Sequence, residues 1–261
     1  MDGRVTLARS GRRADIVIDR PAAKNATTLT MLDEFTAIVA DLTHDDTTDV
    51  VVISGAGTDF CAGADVGDIT ELLTLDAARR AATFEVGMRE QIQPLIRGLL
   101  DLEQAVVVSA RGYAIGLGAA LLLASDLVVL ADSARISVPQ VTLGHTLDHG
   151  ESWLLPRKIG LGRAMQLALL GELLHAVDAK RFGAANLVVA EDELAERTDE
   201  LVRSLLASSS AALRGTKRLL ANSLEREAQF AAEIRTAAGC AATQDFVDAI
   251  EAQLGSGRRR R

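Results

Sequence analysis

Apolar positions along the chain change period several times. Short β-branched runs at residues 5–8, 15–18, 50–53, 106–108 and 127–130 predict strands. Met31, Phe35, Ile38, Val39 and Leu42 recur at steps of three and four, which predicts a helix with one buried stripe. Thr30 is placed to cap it, with Asp33 and Glu34 in its first turn, where the helix dipole favours carboxylates. A further helical stretch is predicted over residues 76–102, and residues 116–124 read as a buried helix entered through glycine directly after a strand. Strands alternating with helices imply βαβ-like units and partly parallel pairing, hence an α/β fold. From residue 192 to 254 the pattern turns to alanine-rich helices without a strand signal. The expected organisation is a core at residues 1–190, a helical C-terminal subdomain at 191–254 and a flexible tail at 255–261 that ends in four arginines.

At 261 residues and 48% hydrophobic content the chain can bury a sizeable core. Its net charge of -8 argues against general affinity for nucleic acid or an anionic membrane surface. Cys61 and Cys240 lie far apart with no CxxC or Cys/His neighbourhood, so neither a disulfide framework nor a zinc site is indicated. No apolar run reaches membrane-spanning length and no signal peptide is visible, which makes the cytoplasm the expected compartment.

Two glycine-bearing loops follow strands. The first runs Thr58-Asp59-Phe60-Cys61-Ala62-Gly63-Ala64-Asp65, the second Arg111-Gly112-Tyr113-Ala114-Ile115-Gly116-Leu117-Gly118, which opens the buried helix. Small residues let backbone N–H groups approach a ligand, and a helix N-terminus favours developing negative charge. Neither loop fits a phosphate loop or a dinucleotide fingerprint. By themselves such loops more often mark tight packing than catalysis.

Asp19-Arg20-Pro21 with Asn25-Ala26, then Phe60-Cys61-Ala62-Gly63-Ala64-Asp65, then Gly112-Tyr113-Ala114-Ile115-Gly116 with Ala124-Ser125-Asp126, resemble the successive signatures of the crotonase (enoyl-CoA hydratase/isomerase) superfamily in order and spacing. The resemblance spans roughly residues 3–250. It implies a crotonase-type spiral of ββα repeats, a homotrimer or hexamer, and an acyl-CoA thioester as ligand, with coenzyme A carried by the substrate and no separate cofactor. It places the two amides that hold the thioester oxygen at Ala62 and Leu117. Leu117 departs from the family's usual glycine. Lys24, Asn25, Ala26, Ala64, Asp65, Val66, Gly116, Ala120 and Gln140 fall in the segments that surround the substrate. Asp65 also reads as a turn-stabilising residue.

The chemistry departs from the family's hydratases, whose two glutamates are replaced here by Ala120 and Gln140. Alanine transfers no proton, and glutamine is no base at neutral pH. The chemically richest stretch is Leu143-Gly144-His145-Thr146-Leu147-Asp148-His149-Gly150-Glu151-Ser152-Trp153. Asp148 matches the functional aspartate that the resemblance implies from dienoyl-CoA isomerases and the chlorobenzoyl-CoA dehalogenase. His145 and His149 are the accompanying catalytic candidates. A structural alternative makes Asp148 the cap of a helix beginning near Gly150. Glu151 is expected in a surface ion pair and Trp153 in the core or pocket wall. The spacing of His145, Asp148 and His149 matches no known metal pattern, so no metal is expected. Two functions stay open: an isomerase or related lyase or hydrolase working through an oxyanion hole and Asp148, and a noncatalytic acyl-CoA carrier.

Overall fold

The computed structural model describes residues 3–221 and 226–258. Strands β1 (Arg4–Ser10) and β2 (Arg13–Asp19) pair antiparallel and lead into α1 (Leu29–Thr43). The cap of α1 is Thr28, whose hydroxyl accepts the Met31 N–H, rather than Thr30, which lies inside the first turn. Strand β3 (Val50–Gly55) is followed by α2 (Val66–Leu73), α3 (Ala77–Gly87) and α4 (Gln93–Asp101). One π-type turn, Met88–Ile92, joins α3 to α4. Pro94 lies in the first turn of α4 and has no N–H to donate back to residue 90, so the ladder widens where the proline enters.

Strands β4 (Ala105–Ala110) and β5 (Tyr113–Ile115), helix α5 (Leu117–Ala124), and strands β6 (Leu127–Ala131) and β7 (Arg135–Ser137) come next. A 3-10 turn at Pro139–Leu143 leads through an irregular segment to α6 (Glu151–Ile159) and α7 (Leu161–Leu170). The strand signal ends with β8 (Leu174–His175), α8 (Ala176–Phe182) and β9 (Leu187–Val189), after which the chain is helical: α9 (Leu194–Leu206), α10 (Ser210–Ala221), α11 (Arg226–Ala241) and α12 (Gln244–Arg258). Helix α12 thus continues through Gly255–Arg258, where the sequence predicts a tail, and Arg259, Arg260 and Arg261 lie outside the described residues.

The strands form two sheets. The larger runs β1-β2-β3-β4-β6-β9, parallel from β2 onward, and the smaller runs β5-β7-β8. Bridges between Cys61 and Ala114 and between Thr27 and Ala64 extend the smaller layer. Successive turns of the chain therefore place one segment in each layer, which makes a spiral. Strands β3 and β4 are apolar at nearly every position because both faces are covered. Val51, Ile53, Val106 and Val108 join a core with Phe35, Leu95, Leu99 and Leu121, while Val50, Val52, Ala105 and Val107 pack with Leu194 and Val202 of α9. On the other side, Phe246 and Ile250 of α12 pack with Phe84 and Leu143. No helix among the described residues is long and apolar enough to cross a membrane.

Candidate active site

The two glycine-bearing loops are zipped edge to edge. Cys61 donates to the Tyr113 carbonyl at 2.8 Å, and Ile115 donates back to Cys61 at 2.9 Å. The contact leaves no room for side chains, since a Cβ on Gly118 would meet the Cys61 oxygen at 2.3 Å. Gly116, at φ 54, turns the chain from β5 into α5. Leu117 is the first residue of that helix, so its N–H has no intrahelical acceptor, and its side chain is buried.

The first loop corrects one expectation. The amide of Ala62 donates to the Lys24 carbonyl at 3.0 Å and is not available to a ligand. The available group lies two residues further on. Thr27 takes its bonds from the neighbours of Ala64, donating to Gly63 at 2.8 Å and accepting from Asp65 at 2.9 Å. Because peptide groups alternate in direction along extended chain, the Ala64 N–H points the opposite way. It donates to no group among the described residues, and Ala64 is exposed.

Two residues expected around the substrate are occupied with the loops themselves. Asn25 is fully buried at φ 57; its side chain accepts from Arg20 N at 2.8 Å and donates to the carbonyls of Ala56 and Asp59 at 2.9 and 2.6 Å. Asp65 caps α2 through Gly67 N and pairs with Arg20. Lys24, Ala26, Ala64 and Val66 line the open side of this region, with the Lys24 ammonium 4.4 Å from the Tyr113 ring centroid.

Beside the second loop lies a buried polar network. A methyl group on Gly116 would stand 3.9 Å from Cε1 of His149, so that ring packs against the loop. The His149 Nδ1 lies 3.1 Å from both Asp148 Oδ1 and Glu151 Oε1. Gln140 donates to Glu151 at 2.7 Å and to Asp148 at 3.2 Å. Glu151 also accepts the His149 N–H at 2.7 Å. It is fully buried, not at the surface as the sequence suggests, because it closes this network. Asp148 is buried too but does not cap α6; the cap residue is Gly150, and the Asp148 carboxylate turns to His149 and Gln140. Ala120 is buried in α5 and offers no titratable group.

Burial alone would lower the pKa of His149, but Asp148 and Glu151 together outweigh it and push it up from 6.5 to about 9, so the imidazole is a cation at neutral pH. Burial pulls Glu151 upward, and the His149 cation outweighs that and holds it below its ordinary value. His145 borders the network, with its Nδ1 3.7 Å from Asp148 Oδ2. Its Nδ1 contacts the Thr146 carbonyl at 2.7 Å, and its ring centroid lies 4.4 Å from that of Phe84 and 5.5 Å from that of Phe246. Ligand-type atoms of Asp148, His149 and Glu151 fall within 4.8 Å of one another, held there by the hydrogen bonds just described. Trp153 is buried, as expected, with the Arg157 guanidinium 4.0 Å from its ring centroid.

One residue of this region has no sequence signal. Glu233, from α11, is buried and accepts from Gly150 N and Ser152 N. Burial first, and then the charge of Glu151, push its carboxyl up from 4.5 to about 7.

Residues 11–252 match the protein family described as enoyl-CoA hydratase/isomerase. The chain is 34% identical over 190 residues, 73% of its length and 71% of the relative's, to a protein of Escherichia coli named 1,2-epoxyphenylacetyl-CoA isomerase. It is 32% identical over 245 residues, 92% of its length and 91% of the relative's, to a probable enoyl-CoA hydratase of Rhodobacter capsulatus. A crystal structure of an enoyl-CoA hydratase/isomerase from Mycobacterium paratuberculosis superposes with a TM-score of 0.84 at 29% identity, covering 95% of this chain and 97% of that one. With the spiral of paired strands, the zipped loops and these likenesses in place, the chain belongs to the enoyl-CoA hydratase/isomerase family, the crotonase superfamily.

Proposed function

We propose that this enzyme moves the double bond of an enoyl-CoA by a single-carboxylate proton transfer. The thioester oxygen sits between the N–H groups of Ala64 and Leu117, and Asp148 is the acid/base. The Asp148 carboxylate takes a proton from C2 of a 3-enoyl thioester. The electron pair delocalises onto the thioester oxygen as a dienolate, and the same proton returns at C4, leaving the double bond between C2 and C3. Two fixed backbone donors aimed at that oxygen are worth on the order of 3 kcal/mol each in a site that excludes water. The exposed Lys24 ammonium at the loop edge suits the anionic coenzyme A moiety.

The observation that carries this reading is the placing of Asp148 in a buried network against the Gly116 loop, while the positions of both hydratase glutamates hold Ala120 and Gln140. Addition of water needs a second proton carrier; a proton shuttled between two carbons needs one. The relative named as an isomerase supports the same direction. His149 and Glu151 act on Asp148 through charge and orientation. The exposed apolar side chains Leu161, Met165, Leu169, Leu170, Leu173 and Val177 support association with further copies of the chain, as a trimer or hexamer.

The test is turnover of saturated, 2-enoyl, 3-enoyl and aryl CoA thioesters, with binding measured by calorimetry, for the wild type beside Asp148→Asn. Conversion of 3-enoyl to 2-enoyl thioester, lost by about 10² to 10⁴-fold in the variant with binding kept, supports the reading. Tight binding without turnover by either protein replaces it with that of an acyl-CoA carrier.

A further inference from the structure

Helix α11 reaches the segment that carries Asp148 from 81 to 83 residues away along the chain. The Glu233 carboxylate accepts the N–H of Gly150 at 2.6 Å and that of Ser152 at 2.7 Å, and the Ser152 hydroxyl as well. These donors belong to the N-terminal turn of α6, whose own cap residue, Gly150, has no side chain to offer and sits at φ 86. One turn earlier on α11, Phe230 packs beneath the same residue: a Cβ on Gly150 would meet its ring at 2.8 Å. Gln93 of α4 fixes that turn of α11 by donating to the Phe230 carbonyl at 2.7 Å. The end of α6 is thus held on one side by a buried carboxylate and on the other by a buried ring. The nearer anchored amide is only two residues from Asp148.

We propose that Glu233 is a positioning residue for Asp148: it clamps the start of α6 so that the reacting carboxylate stays in register with the Ala64 and Leu117 amides. The proposal rests on the reading of Asp148 as the acid/base. A carboxylate fits the task because it offers two acceptors to two N–H donors at a helix N-terminus, where negative charge is favoured. Glutamine keeps the shape but turns an N–H towards one of the donors. That leaves the donor unmatched in a buried site and lets the turn shift. A displacement of about 1 Å at a reacting group costs on the order of 100-fold in rate.

The experiment compares wild type, Asp148→Asn, Glu233→Gln and the double variant for kcat on 3-enoyl-CoA, calorimetric affinity for a saturated acyl-CoA, and amide hydrogen exchange. For Glu233→Gln the expected result is a kcat lower by about 100-fold with affinity within about twofold of wild type, and no further loss on adding it to Asp148→Asn. Exchange at residues 150 and 152, whose amides Glu233 holds, should rise by about tenfold or more while α1 and α4 keep their protection. An unchanged kcat, or losses that multiply in the double variant, overturns the positioning role while leaving Asp148 as the acid/base. Activity retained by Asp148→Asn instead overturns the reading beneath it. Unchanged exchange at 150 and 152 removes the clamp whatever the turnover.

Discussion

Gln140 Nε2 lies 2.7 Å from Glu151 Oε1. Gln140 is therefore a hydrogen-bond donor that holds one carboxylate and touches another, Asp148, at 3.2 Å. A glutamate at this position would place a third acid where two already share one imidazolium. Gln140→Glu should lower stability at pH 8 by about 3 kcal/mol, with part of the loss recovered near pH 5 as a proton is taken up. It should confer no hydratase activity, because Ala120 still carries no proton. Urea denaturation at the two pH values, with a hydration assay alongside, checks both statements.

The same network sets how stability depends on pH. His149 is raised from 6.5 to about 9, so its contribution is complete below 6.5 and is lost as pH rises through 9. Glu233, an acid raised from 4.5 to about 7, holds its proton better folded than unfolded, so its contribution also declines as pH climbs between those values. Glu151, held below 4.5, has the opposite sign: its contribution is present above 4.5 and lost on acidification. Stability should peak near about pH 5 and fall by on the order of 5 kcal/mol towards pH 9. Chemical denaturation across that range should show the decline, and His149→Gln should flatten its alkaline part.

Asn25 ties three backbone segments together while standing at φ 57. Asn25→Ala leaves the Arg20 N–H and the Ala56 and Asp59 carbonyls without this partner, and keeps a left-handed backbone without the side-chain hydrogen bonds that stabilise it. The expected loss is about 3 to 5 kcal/mol in a denaturant titration. Because the Lys24 carbonyl that holds Ala62 is adjacent, acyl-CoA affinity should weaken as well.

Cys61 is fully buried, and desolvation pushes its thiol up to about 11, against a weaker opposing bond from the Gly63 backbone. Cys240 is half-buried. Iodoacetamide at pH 8 should modify Cys240 and leave Cys61 intact until the protein unfolds, as read by peptide mass spectrometry.

The apolar runs at β3, β4 and β6 and the stripe of α1 were legible because burial against a sheet or helix face imposes a period that a single strand or helix carries within itself. So were the glycine loops, since Gly116 and Gly118 stand where a turn and a close backbone contact exclude side chains. The strands β5, β7 and β8, of three, three and two residues, are too short to show a period, and only pairing makes them strands.

The sequence by itself determined the family, the α/β architecture and the two glycine-bearing loops, and it puts the carboxylate-free Ala120 and Gln140 beside them, because each of these is written in residue types at fixed spacings. Tertiary structure alone decided which amide of the first loop is available. Ala62 and Ala64 are chemically identical, and only the Lys24 carbonyl, brought in from another segment, distinguishes them. It likewise decided that Glu151 is buried and that Glu233 meets α6, since a carboxylate's burial and charge depend on which distant groups surround it, and no local pattern records those neighbours.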